Sequence, residues 1–265
     1  MTAPGETKVA ATELATGATV KAKPRRNWYL IGTPVLIVVV LLLDWAYVAS
    51  THPDANARAT LQFSYMASAT WQHAKLTVVA GFFVLLLAIP LGILLTRRGA
   101  RIATPVVLAL ANIGQGAPAI GIVVLLAVLW QTGFLVAVIA LIVYAVLPSL
   151  RNTMVGLQQV DPALKEAGRG IGMSSMMVLF RIELPLAVPV ILAGIRTTLV
   201  LLVGVAALSS FIGAGGLGDM ISTGVKLQRY NVLVTGSVLV ACLALLVDWL
   251  AGLAERFLSP RGIRG

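Results

Sequence analysis

The 265-residue sequence predicts an all-α integral membrane protein of about six transmembrane helices. Three observations carry that prediction: the apolar content, the scarcity of charge and the placing of the cations. Hydrophobic residues make up 58% of the chain and charged ones 11%, at a mean hydropathy of +0.94, whereas soluble domains carry about 25% charged residues. Runs of roughly 20 apolar residues, enough to cross a bilayer as a helix, lie at Tyr29 to Val48, Lys75 to Leu95, Pro105 to Trp130, Phe134 to Leu150, Ala187 to Leu208 and Val232 to Leu253. The net charge of +10 would suggest nucleic acid in a soluble protein. Its distribution says otherwise.

With a cytoplasmic amino terminus, 15 of the 20 Lys and Arg residues fall inside: Lys8, Lys21, Lys23, Arg25 and Arg26 before the first span, Arg97, Arg98 and Arg101 after the second, Arg151, Lys165, Arg169 and Arg181 after the fourth, and Arg256, Arg261 and Arg264 after the sixth. Only Arg58, Lys75, Lys226 and Arg229 fall outside, and Arg196 falls within a span. Every loop thus obeys the positive-inside rule with both termini cytoplasmic. The excess charge reports topology and contact with anionic membrane lipid, and nucleic acid needs no place.

Residues 1–27 lack an apolar period and read as a disordered, basic cytoplasmic tail. Residues 28–256 form one membrane domain and 257–265 a short cytoplasmic tail. The first span, which follows Lys21, Lys23, Arg25 and Arg26, has the outline of a signal peptide, but its length and bulky Val and Leu content favour a retained anchor. Trp28 and Trp249 fall near cytoplasmic ends of spans, and Trp45, Trp71 and Trp130 near external ends. That is a headgroup belt, preferred over an aromatic cage for a quaternary ammonium because the positions are scattered.

The third span carries Asn112-Ile113-Gly114-Gln115-Gly116-Ala117-Pro118 near its middle. Glycines and a proline there interrupt the backbone ladder, which hydrocarbon tolerates only beside protein or a water-filled cavity. Asn112, Gln115 and Pro118 are therefore pathway candidates, against the alternative of a kinked structural helix.

The segment from Arg151 to Pro185 is too polar to cross. Asp161-Pro162 is a helix start, an Asx cap followed by a proline in the first turn, with the helix ending near Arg169. Gly170 and Gly172 permit a tight reversal. Ser174 or Ser175 caps a second helix, Met176 to Glu183, which Pro185 should stop or kink before the fifth span. This helix-turn-helix lies at the cytoplasmic surface, where its apolar second helix also suits a resting place on lipid.

In the fifth and sixth spans, Arg196 and Asp248 are the charges deepest on the cytoplasmic half. They either pair and help set a gate or snorkel to the interface. The external stretch Ser209 to Asp219, whose Ser209 and Ser210 are further pathway candidates, contains a G-x-G-x-x-G. A dinucleotide fingerprint needs a preceding strand and a following helix in a soluble unit, and neither is expected here. No G-x-x-x-x-G-K-[ST] occurs. The lone Cys242 and the isolated His52 and His73 make no metal-ligand spacing.

Glu166-Ala167-Gly168, Gly172, Ile182 and Leu184-Pro185 resemble, in spacing as well as identity, the EAA motif of permease subunits of bacterial ABC importers. In that family the motif forms coupling helices docked into a cleft on a cytoplasmic ATPase. The resemblance assigns Glu166, Ala167, Gly168, Arg169, Gly172, Ile182, Leu184 and Pro185 to ATPase coupling. Gly168 departs from the second alanine common there. Together with Leu150 to Thr153, Val160 to Ala163, Ala193 to Thr197 and Ile212 to Gly218, the chain from about 70 to 255 resembles permeases for osmoprotectants such as glycine betaine, carnitine, choline or proline.

That resemblance implies a type I importer (MetI-like) fold in the bacterial inner membrane, a second permease identical or related, two ATPase subunits that hold ATP and Mg, an extracytoplasmic substrate-binding protein, and no cofactor on this chain. Gly116-Ala117-Pro118-Ala119 stands where the family usually has Thr-Ile-Pro-Ser, which leaves the solute open, another small solute such as an amino acid included. An enzyme acting on lipid would need convergent acid, base or nucleophile groups, and Asp44, Asp248, His52 and His73 are scattered. A structural anchor would leave the broken third span unexplained.

Overall fold

The computed structural model describes residues 28–100 and 102–258. The basic tail read over 1–27 lies outside the described residues, as do Arg101 and the end of the carboxy-terminal tail. Within them the chain is helical throughout: α1 (Trp28–Ser50), α2 (Ala55–Thr60), α3 (Phe63–Leu95), α4 (Ala103–Gly116), α5 (Ala119–Leu129), α6 (Phe134–Gln158), α7 (Pro162–Gly170), α8 (Ser175–Val178), α9 (Leu184–Ala206), α10 (Leu217–Lys226) and α11 (Tyr230–Leu258). A five-residue π-helical turn, Leu179–Glu183, joins α8 to α9, and a 3-10 turn, Ala207–Ile212, follows α9.

Five helical runs are long and apolar enough to cross a bilayer, and α4 with α5, bent by 99°, together are apolar and long enough for a sixth, broken span or a re-entrant loop. The bend falls at Ala117-Pro118, where the third span was expected to break. Proline supplies no N–H there, and its neighbours stay bonded through Ala117 N to Ile113 O (3.0 Å) and Ile122 N to Pro118 O (3.2 Å).

Several boundaries differ from those read along the sequence. α3 begins at Phe63, 33 residues in all, because nothing from Phe63 to Lys75 breaks a helix. α6 continues to Gln158, so Arg151, Asn152 and Thr153 are helical rather than loop. Pro185 does not stop the second hairpin helix: residues Ser175–Ile212 form one run. The π turn is the reason, since Leu184 N bonds Leu179 O five residues back and Pro185 then occupies the first turn of α9, where a missing N–H costs little. α11 runs to Leu258, which takes the first two residues of the expected carboxy-terminal tail.

The core is built on α6, which packs against both α3 and α9. Ala137, Ala140, Leu141, Ala145 and Leu150 of α6 are buried with Leu76, Val84 and Ala88 of α3 and Leu202 of α9. In a bilayer, where apolar side chains gain nothing by leaving lipid tails, small residues that let backbones approach drive such contacts. A methyl group at Gly92 would come within 2.8 Å of the Thr153 side chain, and one at Gly194 would collide with Asn152. By contrast α1 has no buried side chain among those described and lies along α11.

Candidate functional site

The hairpin of α7 and α8 is shaped by its own sequence. Asp161 Oδ1 accepts from Ala163 N (2.8 Å) to cap α7, and Ser174 Oγ accepts from Met177 N (3.3 Å) to cap α8. Between them Gly172 has φ +89°, a left-handed conformation that costs a residue with a Cβ about 1 kcal/mol or more. Gly172 N bonds Arg169 O (2.9 Å) and Met173 N bonds Gly168 O (3.0 Å), the paired bonds of a Schellman ending.

Gly168 is the buried residue of α7. A methyl group there would lie 2.7 Å from Ile182 Cδ1, so the departure from alanine makes room for the isoleucine of the same motif. Glu166, Ala167 and Arg169 face outward and are exposed, and Leu184 and Pro185 are half-buried at the root of α9. Ile171, Met176 and Phe180 are 77%, 61% and 60% exposed. The hairpin therefore presents exposed apolar side chains beside charges.

Beneath the hairpin lies a cleft of about 620 Å³ lined by Thr96, Arg97, Leu157, Gln158, Lys165, Arg169, Ser175 and Glu183. Glu183 is buried, and both its oxygens accept from Arg97: Nη1 to Oε1 at 3.3 Å and Nη2 to Oε2 at 2.5 Å. Lys165 Nζ donates to Leu157 O (3.3 Å). Neither Arg97 nor Glu183 was singled out from the sequence, although an acid between Ile182 and Leu184 in an apolar run was a visible signal.

The pathway candidates fall in separate places. Asn112 Oδ1 accepts from Arg151 Nη2 (2.6 Å) and its Nδ2 donates to Leu108 O (2.6 Å). This joins α4 to the C-terminal half of α6. Gln115 is half-buried and Pro118 exposed at the bend. Ser209 is buried in the outer 3-10 turn, and Ser210 Oγ donates to Ala207 O (3.0 Å).

Arg196 pairs with Asp248, Nε to Oδ1 at 2.5 Å and Nη2 to Oδ2 at 2.6 Å, so pairing rather than snorkelling describes it. The sequence left out the third member: the Tyr29 hydroxyl donates to Asp248 Oδ2 (2.8 Å) and accepts from Arg196 Nη2 (3.0 Å). The cluster joins α9 to α1 and α11.

The tryptophans also depart in part from a belt. Trp249 Nε1 donates to Leu30 O (3.1 Å), tying α11 to α1. Trp45 and Trp71 share an outer cleft with Asp44, yet both rings are 71% exposed. The Trp28 side chain lies outside the described residues. The glycine-rich stretch does precede a helix, α10, contrary to expectation, but a 3-10 turn rather than a strand comes before it. His73 is buried in α3, and its Nε2 lies 2.9 Å from Val203 O, near the end of α9.

A bundle of long apolar helices, one pair of them sharply bent, with a polar hairpin at one end, is the architecture of a multi-pass membrane protein. Residues 88–260 match the model for the binding-protein-dependent transport system inner membrane component, and the chain belongs to that family. The family is one of transport permeases rather than enzymes. Among its relatives, the choline transport system permease protein OpuBB of Bacillus subtilis is 41% identical over 195 residues, covering 74% of this chain and 89% of the relative. The glycine betaine/carnitine/choline transport system permease protein OpuCB of the same organism is 39% identical over 196 residues, with the same coverage. Among solved structures, the MetNI methionine ABC transporter in an inward-facing conformation superposes with a TM-score of 0.64 at 28% identity, covering 74% of this chain and 96% of that one.

Proposed function

We propose that this chain is the membrane-spanning permease of an ATP-driven importer for osmoprotectants of the glycine betaine, carnitine, choline and proline class. The observation that carries the reading is the hairpin: a capped pair of short helices around Gly172, with Glu166, Arg169, Ile171 and Met176 exposed and Leu184-Pro185 leading directly into α9. ATP and Mg belong to two cytoplasmic ATPase subunits that receive the hairpins of this chain and of a second permease, identical or related. Solute arrives on an extracytoplasmic binding protein and passes the bend at Asn112, Gln115 and Pro118, with Ser209 and Ser210 nearer the outside and Arg196 steadying the bundle. Both termini are cytoplasmic. The likeness to osmoprotectant permeases at about 40% identity supports the solute class.

Competition uptake at high osmolarity tests the proposal. Cells carrying the complete system should accumulate labelled glycine betaine or choline, and unlabelled betaine, carnitine, choline or proline should compete while methionine should not. Uptake blocked by methionine alone would overturn the solute class.

A further inference from the structure

The hairpin has a direct outlet into the bundle through the π turn and α9. Arg97, on the turn after α3, grips the same π turn from another helix. Glu183, the last residue of that turn, has a side chain only 5% exposed, against 37% for Arg97. A carboxylate so placed and held by both its oxygens fixes the relative position of two helix ends, because loss of its partner leaves a buried charge stranded.

At the outer end the same two helices are joined again, by His73 of α3 at 2.9 Å from Val203 O of α9. Between these ties α3, α6 and α9 are in close contact at Gly92 and Gly194. Interfaces this tight move as units rather than deform.

We infer that Arg97 and Glu183 form a clamp through which displacement of the hairpin drives α3 together with α9, so that α3, α6 and α9 rock as one body. This rests on the proposed docking of the hairpin to an ATPase. Arg97 and Glu183 are positioning residues: they touch neither solute nor nucleotide. Without the clamp the stroke reaches α3 only through side-chain packing and the His73 contact at the far end, and α3 follows less faithfully.

The test is solute imported per ATP hydrolysed, measured in proteoliposomes holding the full complex with its binding protein, for wild type, R97K, R97Q, E183Q and the exchange R97E/E183R. The ratio should fall about tenfold in R97Q and E183Q while ATPase copurifies as before, since a coupling interaction is worth a factor of this order. R97K, which keeps the charge but loses the two-pronged grip, should fall in between, and the exchange should recover most of the loss.

An unchanged ratio in R97Q, or an exchange no better than its single variants, overturns the clamp. So does loss of complex assembly in both R97K and R97Q, which would mark a pair needed only for folding. Wild-type complex that imports nothing overturns the transport reading as well, whereas wild-type import with an unchanged ratio in R97Q overturns the clamp alone.

Discussion

Glycine 168 shows how one methyl group reaches function. Its missing Cβ leaves space that Ile182 Cδ1 occupies, so that α7 sits on the π turn. Alanine there is the better helix former by about 1 kcal/mol, yet its methyl must displace the isoleucine, and overpacking of this kind costs about 1–3 kcal/mol. Gly168→Ala should therefore lower the melting temperature of the purified complex, and adding Ile182→Val, which removes the offending carbon, should restore it. Full stability in Gly168→Ala alone would show that Ile182 has room to turn away. Residue identity was legible in the sequence here, but the contact was not: Gly168 read only as a departure from the usual alanine, whereas the fold makes it one half of a complementary pair.

At the scale of elements, the broken third span carries the sharpest expectation. Pro118 withholds the N–H that Gly114 O would accept in a continuous helix, and the two halves meet at 99°. Pro118→Ala returns that donor and favours straightening. Solute import should fall severalfold while copurification with the ATPase is unchanged, because the hairpin lies on other elements. Import equal to wild type would make the bend a packing detail.

The break itself was legible, since glycines and a proline leave few alternatives in hydrocarbon. Its partner was not: Arg151 lies 39 positions from Asn112, and only the continuation of α6 past Leu150 brings the two together. The π turn was equally hidden, because the sequence marks Pro185 as a stop and the extra residue that absorbs it is a matter of how the turn packs.

At the scale of the whole molecule the claim is orientation. Cations crowd one side, and the proposed docking surface is on that side. With Cys242 replaced, single cysteines at Lys8 and Arg264 should resist a membrane-impermeant maleimide until the membrane is opened, while one at Lys226 should react at once. Labelling of Lys8 from outside would invert the topology and place the hairpin where no cytoplasmic ATPase could reach it.

Composition and the spacing of apolar runs determined by themselves that this chain crosses a membrane several times, because transfer of helices into lipid depends on segment hydrophobicity, a local property, and the bias of the cations supplies the orientation that labelling tests. Motif spacing likewise marked the hairpin, since caps and turns are set by neighbours in the chain. Only the tertiary structure decided which charges meet. Arg97 with Glu183 spans 86 positions, Arg196 with Asp248 spans 52, and Tyr29 with Asp248 spans 219. Such pairs form where packing brings helix ends within about 3 Å of one another, and one-dimensional order does not encode that distance.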